Sequence, residues 1–175
     1  MQVISAAELS RLWRDHSDRL VLIARAIGEP AEDAVQEAFV ALAALTDPPD
    51  DPLGWLVKVT RNQLLQSRRR GDRRARREQL AGMRIWFQSS DVVANIDQSL
   101  DAITVTEALQ ELGDQEREVV VMHLWGELTF RQIAKATDRS PTTTHRLYQS
   151  ALSQLQNRFV ETPAQRDVSE VRNSR

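Results

Sequence analysis

No cysteine occurs among the 175 residues, which excludes disulfides and thiolate metal sites together. Histidine is scarce too: His16, His123 and His145 are too scattered for a metal cluster, so neither metal nor cofactor is expected. No stretch approaches the roughly 18 apolar residues that crossing a bilayer demands. The opening MQVISAAELSRLWRDH has no basic segment followed by an apolar run, and the expectation is a cytoplasmic protein without membrane insertion. Glycine and proline, six of each, sit mainly at junctions, and no β-branched alternation marks a strand. Enzymatic signatures are missing as well. There is no phosphate-binding glycine loop and no nucleophile with a base at diagnostic spacing, so the chain is not expected to be an enzyme.

What remains is ordinary in amount and unusual in arrangement. Apolar residues make up 41% and charged residues 27%, enough for one medium domain or two small ones. A net charge of -2 conceals strong segregation. From Arg61 to Arg77 eight arginines face the single acid Asp72. From Ile85 to Phe130 the balance reverses, with nine acids against Arg117 alone. Beyond it Arg131, Lys135, Arg139 and Arg146 outweigh Asp138. Two basic zones flank an acidic one.

Helical periodicity recurs throughout, which predicts an all-α chain. Ser5 and Glu8 form a capping box that opens a first helix, with Leu9, Leu12, Trp13, Leu20, Ile23, Ala24 and Ile27 inward and a stop at Gly28. A second helix, about Ala31 to Leu45, turns Ala31, Ala34, Val35, Ala38, Leu42 and Leu45 inward. Glu32, Asp33, Gln36 and Glu37 then point outward near its positive N-terminal end. TDPPDDP cannot be helical, since each proline restricts the residue before it; Asp51 caps and Pro52 starts a third helix. One stripe of that helix holds Leu53, Leu56, Val57, Thr60 and Leu64; Trp55, Lys58, Asn62, Gln66, Arg69 and Arg73 lie opposite. Residues 81–104 read as a linker, and VTEALQELGDQEREVVVMHLWG reads as one helical segment ended by Gly126. Thr129 with Gln132, then Ser140 with Pro141, signal two more helix starts, the last helix running to about Phe159.

Two surfaces carry chemistry. TFRQIAKATDRSPTTTHRLYQSAL fits a helix-turn-helix: Thr142, Thr143, His145, Arg146 and Gln149 project from the first turns of its second helix, where base edges in a major groove are read. The bland alternative is a helical hairpin within a bundle. On the third helix, arginines can neutralise phosphates, the Trp55 indole can stack on an unpaired base, and the Asn62 amide can read a base edge. That combination suits an exposed single strand. Its alternatives are a solvated arginine face, and Trp55 packed against the first helix.

Together these residues resemble a bacterial sigma factor of the small extracytoplasmic-function (ECF) group of the sigma-70 family, over nearly the whole chain. AEDAVQEAFVAL looks like the family's second-region docking helix, GWLVKVTRNQLLQSRRR like the promoter-melting helix that follows, and LQELGDQEREVVVMHLWGELTFRQIAKATDRSPTTTHRLYQSALSQL like the fourth region. The resemblance implies two small helical domains: 1–82 of region-2 type, an acidic linker 83–104, a region-4 helix-turn-helix domain 105–162, and a flexible tail 163–175. It implies a subunit that binds core RNA polymerase and directs promoter recognition, DNA melting and transcription initiation. Asp33, Gln36 and Glu37 match the core-docking motif. Trp55, Lys58, Arg61, Asn62, Gln66, Arg69 and Arg73 match the surface for the melted non-template strand of the minus-ten element. Thr142, Thr143, His145, Arg146 and Gln149 match the reader of the duplex minus-thirty-five element. An anti-sigma factor is a further partner the family admits. Three features depart from the family pattern: Thr144 where an apolar residue is usual, Leu147 where a polar one is common, and the rigid acidic loop PPDDP. Two other readings stay open, a stand-alone helix-turn-helix regulator acting as a dimer and a sigma-like decoy for a protein partner.

Overall fold

The computed structural model describes residues 3–70 and 102–161. The basic run 71–77 with Arg73, most of the expected linker and the tail lie outside the described residues. So do the side chains of Arg69 and Arg70. Seven helices make up the rest: α1 (Ala6–Ile27), α2 (Ala31–Ala43), α3 (Pro52–Arg70), α4 (Ala102–Glu111), α5 (Asp114–Leu124), α6 (Phe130–Thr137) and α7 (Pro141–Glu161). No strand occurs among the described residues.

Local signals set most helix ends. The Ser5 hydroxyl accepts from the Glu8 amide at 3.2 Å while Glu8 Oε2 accepts from the Ser5 amide at 2.9 Å, closing the capping box of α1. Thr129 and Gln132 repeat it on α6 at 3.3 and 3.0 Å. Asp51 Oδ1 accepts from the Gly54 amide at 2.9 Å and caps α3, and Ser140 Oγ accepts from the Thr143 amide at 3.0 Å and caps α7. Between α6 and α7 the chain turns through Asp138, whose left-handed φ of 54° ends α6.

Three expectations change. The segment read as one helix from Val105 to Gly126 is broken at Leu112 and Gly113, and Gly113 becomes the N-cap of α5. Helix α4 also begins at Ala102, three residues inside the stretch assigned to the linker. Trp13, placed inward by periodicity, is 41% exposed and meets Phe39 edge-on at 4.9 Å. The core narrows at that end of α1, where Leu9 and Leu12 are also only half-buried.

Helices α1, α2 and α3 pack mutually around Leu20, Ile23, Ala24, Ile27, Ala31, Val35, Ala38, Leu42, Leu56, Val57 and Leu64. Helices α4 to α7 enclose Leu109, Val119, Val120, Val121, Met122, Ile133 and Ala151. These two groups join in a single hydrophobic cluster, because α1 packs on α5 and α3 packs on α6. Helix α5 shows why. Arg117 to Met122 are all buried, and a helix buried on every side needs neighbours on every side. The C-terminal half of α1 meets the same condition, with Leu22 and Ala26 buried outside its expected stripe.

Candidate nucleic-acid interface

The helix-turn-helix is α6 and α7. Ile133, Ala134 and Ala151 are buried, and Leu147, Tyr148 and Leu155 pack against the core from the rim. Thr142, His145, Arg146 and Gln149 are exposed on the first turns of α7, with Thr143 half-buried beside the Ser140 cap. Thr144 is fully buried, and its hydroxyl donates to the Ser140 carbonyl at 3.0 Å. The hydroxyl is therefore satisfied in an otherwise apolar place. Leu147 lies partly under this surface rather than among the projecting residues.

An aromatic platform that periodicity does not reveal supports the reading helix. Phe130 stacks on His123 with centroids 4.3 Å apart and meets Tyr148 and His145 edge-on, each at 5.2 Å. His123 Nδ1 donates to the Leu128 carbonyl at 2.8 Å, fixing the ring. Phe130 thus lies against His145, one of the projecting residues. A phenylalanine at the first position of a short helix is the only sequence clue to it.

The third-helix face is placed differently. Trp55 is half-buried against the core, Asn62 half-buried and Gln66 exposed. Two cations of this face, Lys58 and Arg61, meet acids from the second half of the chain. Lys58 Nζ lies 2.6 Å from Asp138 Oδ1. Arg61 pairs through Nε with Glu118, which also takes Arg139 Nη1 at 3.4 Å. These three side chains are 12%, 7% and 16% exposed. Arg68 donates to the Ile27 carbonyl at 3.1 Å and to Asp114 Oδ2 at 2.9 Å. Arg117 donates to the Ala26 carbonyl at 3.2 Å and to Asp114 Oδ1 at 2.5 Å. Two guanidinium groups thereby satisfy orphan carbonyls at the negative end of α1, while Asp114 sits at the positive end of α5. Further along, Arg19 pairs with Glu127 at 2.6 Å, and Gln132 Nε2 donates to Asp51 Oδ2 at 3.2 Å.

Charge shapes the acids accordingly. The hydrogen bond from Lys58 holds the Asp138 carboxyl below its ordinary value, as does that cation's charge. Burial raises Asp114, but the bonds from Arg68 and Arg117 outweigh it and leave the group lowered. Of the acidic zone, Asp114, Glu118 and Glu127 lie between the two halves, paired with Arg68, Arg61 and Arg19. On α2, Asp33, Gln36 and Glu37 are exposed as expected, and Val40, 71% exposed one turn on, adds an apolar group to the same face.

Comparison with known families gives this layout its meaning. The Sigma-70 region 2 model matches residues 12–74 and the Sigma-70, region 4 model matches 103–155. The chain belongs to the ECF group of the sigma-70 family. Region 2 is therefore α1 to α3, and the described part of region 4 is α4 to α7. Two relatives, each a "Probable ECF RNA polymerase sigma factor SigI" of Mycobacterium tuberculosis, one from strain CDC 1551 / Oshkosh and one from strain ATCC 25618 / H37Rv, are 32% identical over 151 residues. The match covers 79% of this chain and 51% of each relative, so the chain spans about half the length of the curated relatives it matches. No solved structure matches the chain significantly. No helix among the described residues is long and apolar enough to cross a membrane.

Proposed function

We propose that this chain acts as a dissociable, non-enzymatic subunit that binds core RNA polymerase and directs promoter recognition, melting and transcription initiation. The observation that carries the reading is the order of the two sigma regions along the chain, with the exposed turns of α7 standing where region 4 ends. In this reading Thr142, Thr143, His145, Arg146 and Gln149 enter the major groove of the minus-thirty-five element. Trp55, Lys58, Arg61, Asn62, Gln66, Arg69 and Arg73 take the melted non-template strand of the minus-ten element. Unstacking a base costs a few kcal/mol, and stacking on Trp55 with phosphate contacts from the cations offsets it. Asp33, Gln36 and Glu37 dock on the polymerase. An anti-sigma factor that holds the protein until a stimulus arrives fits the same reading.

Run-off transcription with purified core polymerase and a genomic promoter library is the test. Transcripts that depend on the added chain, together with its stable association with core enzyme, support the proposal. A dimer that shifts a palindromic duplex and never associates with core polymerase would replace it with a stand-alone regulator.

A further inference from the structure

We infer that Phe130 is a positioning residue for promoter reading: its ring holds the His145 imidazole in place for a base edge of the minus-thirty-five element, so discrimination at one base pair depends on a side chain behind the reading surface. This role deepens the proposed function and rests on it for the task of α7. Local sequence fixes Phe130 first. It is the first residue of α6, and the Thr129–Gln132 capping box closes the turn in which it stands. On one side the His123 ring of α5 lies 21° from parallel to it, with centroids 4.3 Å apart. That imidazole is itself anchored. A carbonyl only accepts, so His123 Nδ1 carries the proton it shares with the Leu128 oxygen at 2.8 Å. Tyr148 closes the group from α7, edge-on to His123 at 4.8 Å and to Phe130 at 5.2 Å. Three helices thus build one packed set of rings, in the edge-on and stacked arrangements that aromatic side chains favour.

His145 stands one turn before Tyr148 on α7 and meets the same Phe130 ring, at 82° and 5.2 Å. His123, Phe130 and Tyr148 are half-buried, whereas His145 is exposed. It is the outer member of a group whose inner members are packed. A side chain free on a helix surface loses rotamer freedom when a ligand immobilises it, and that loss weakens binding. Contact with Phe130 removes part of the freedom before DNA arrives. The imidazole keeps at least one N–H donor in either protonation state, which suits the N7 acceptor of a purine in the major groove. Leucine in place of Phe130 keeps apolar cover over the seam but presents no flat ring to an edge-on partner. Packing and positioning by Phe130 are therefore separable.

The test uses the full chain with core polymerase, in run-off transcription from promoters carrying each single-base substitution of the cognate minus-thirty-five element. His145→Ala marks the position that His145 reads, as the one where discrimination falls. Phe130→Leu should lower discrimination at that same position about two- to tenfold, the range of one aromatic pair, and leave the other positions within about twofold. Phe130→Tyr, which keeps the ring, should restore it. Phe130→Leu combined with His145→Ala should lose no more than His145→Ala alone, since both remove one interaction. In the free chain, nuclear magnetic resonance should show the His145 ring protons displaced by the Phe130 ring current, an effect absent in Phe130→Leu and kept in Phe130→Tyr. If leucine costs helix by circular dichroism, Phe130→Met takes its place with the same expectations. A uniform fall at all positions, additive losses in the double variant, or His145 signals unchanged by Phe130→Leu overturns the inference, because a residue that only packs would give each of these. So does a His145→Ala variant that discriminates normally everywhere. A wild-type chain that supports no core-dependent transcript sinks the sigma-factor reading and takes the inference with it, whereas a missing positional effect in an active complex sinks the inference alone.

Discussion

At the scale of the residue, Thr144 is the departure whose consequence the structure resolves. Its hydroxyl donates to the Ser140 carbonyl, and the Thr144 amide donates to that same carbonyl at 3.0 Å. Replacing the hydroxyl by a methyl therefore orphans no acceptor. Thr144→Val should stabilise the protein by up to ~1 kcal/mol in urea denaturation, since burying an apolar group here costs no hydrogen bond the backbone cannot make itself. A fall in the denaturation midpoint would mean the extra methyl has no room. Arg146 is the opposite case, exposed on the first turns of α7. Arg146→Ala should leave the unfolding midpoint unchanged and weaken transcription from the cognate upstream element by ~1 to 3 kcal/mol relative to a scrambled one, the range of one bidentate base contact. Equal discrimination by mutant and wild type would remove Arg146 from the reading set.

At the scale of the element, what sequence reveals is what a few neighbouring residues decide. Ser5 with Glu8, Asp51 before Pro52, Thr129 with Gln132 and Ser140 before Pro141 all act within three residues, and each stands where the local pattern puts it. Thr129→Ala should cost ~1 kcal/mol of stability by chemical denaturation, the usual value of a lost N-cap. The α6 cap reaches further, because Gln132 also bonds Asp51, the residue that caps α3. The same variant should therefore loosen the contact of α3 with α6, read as faster amide exchange at the start of both helices. Exchange confined to α6 would show the two caps to be independent. Two features escape local pattern. The break at Gly113 is hidden because residues on either side keep helical spacing. The burial of α5 on all sides shows only as the unbroken run Val119 to Met122, which a single-faced helix would have interrupted with polar residues.

At the scale of the whole molecule, sequence shows blocks of opposite charge but not that they meet. Arg61 and Glu118 are 57 residues apart, and no periodicity links them. Once folded, the pairs between the regions divide by exposure, and this predicts how the closed form, with region 4 packed on region 2, responds to solution conditions. Lys58–Asp138 and Arg19–Glu127 are exposed and open to solvent screening, and 1 M salt shortens the screening length from about 10 to about 3 Å. Glu118 between Arg61 and Arg139 is shielded from that screening, and the apolar contact of Ile23 with Gly126 does not depend on it. Added salt should loosen the closed form without abolishing it, read as a modest rise in the radius of gyration by X-ray scattering. Acid acts on a different group of atoms. Asp138 and Asp114 have carboxyl values below the ordinary 3.8 in the closed form, and opening removes Lys58 from the first and Arg68 from the second. A carboxylate with a lower value closed than open favours closure wherever it is ionised in both states, above about 3.8. That contribution is lost as pH falls through the lower, closed-state value. The radius of gyration should therefore stay flat from pH 7.5 to 5 and rise below about 4, with far-ultraviolet circular dichroism separating domain opening from loss of helix. Asp138→Asn should flatten the rise, because one of the responding carboxylates is gone. Expansion already complete between pH 7 and 5, in wild type and variant alike, would show that neither aspartate governs the closure.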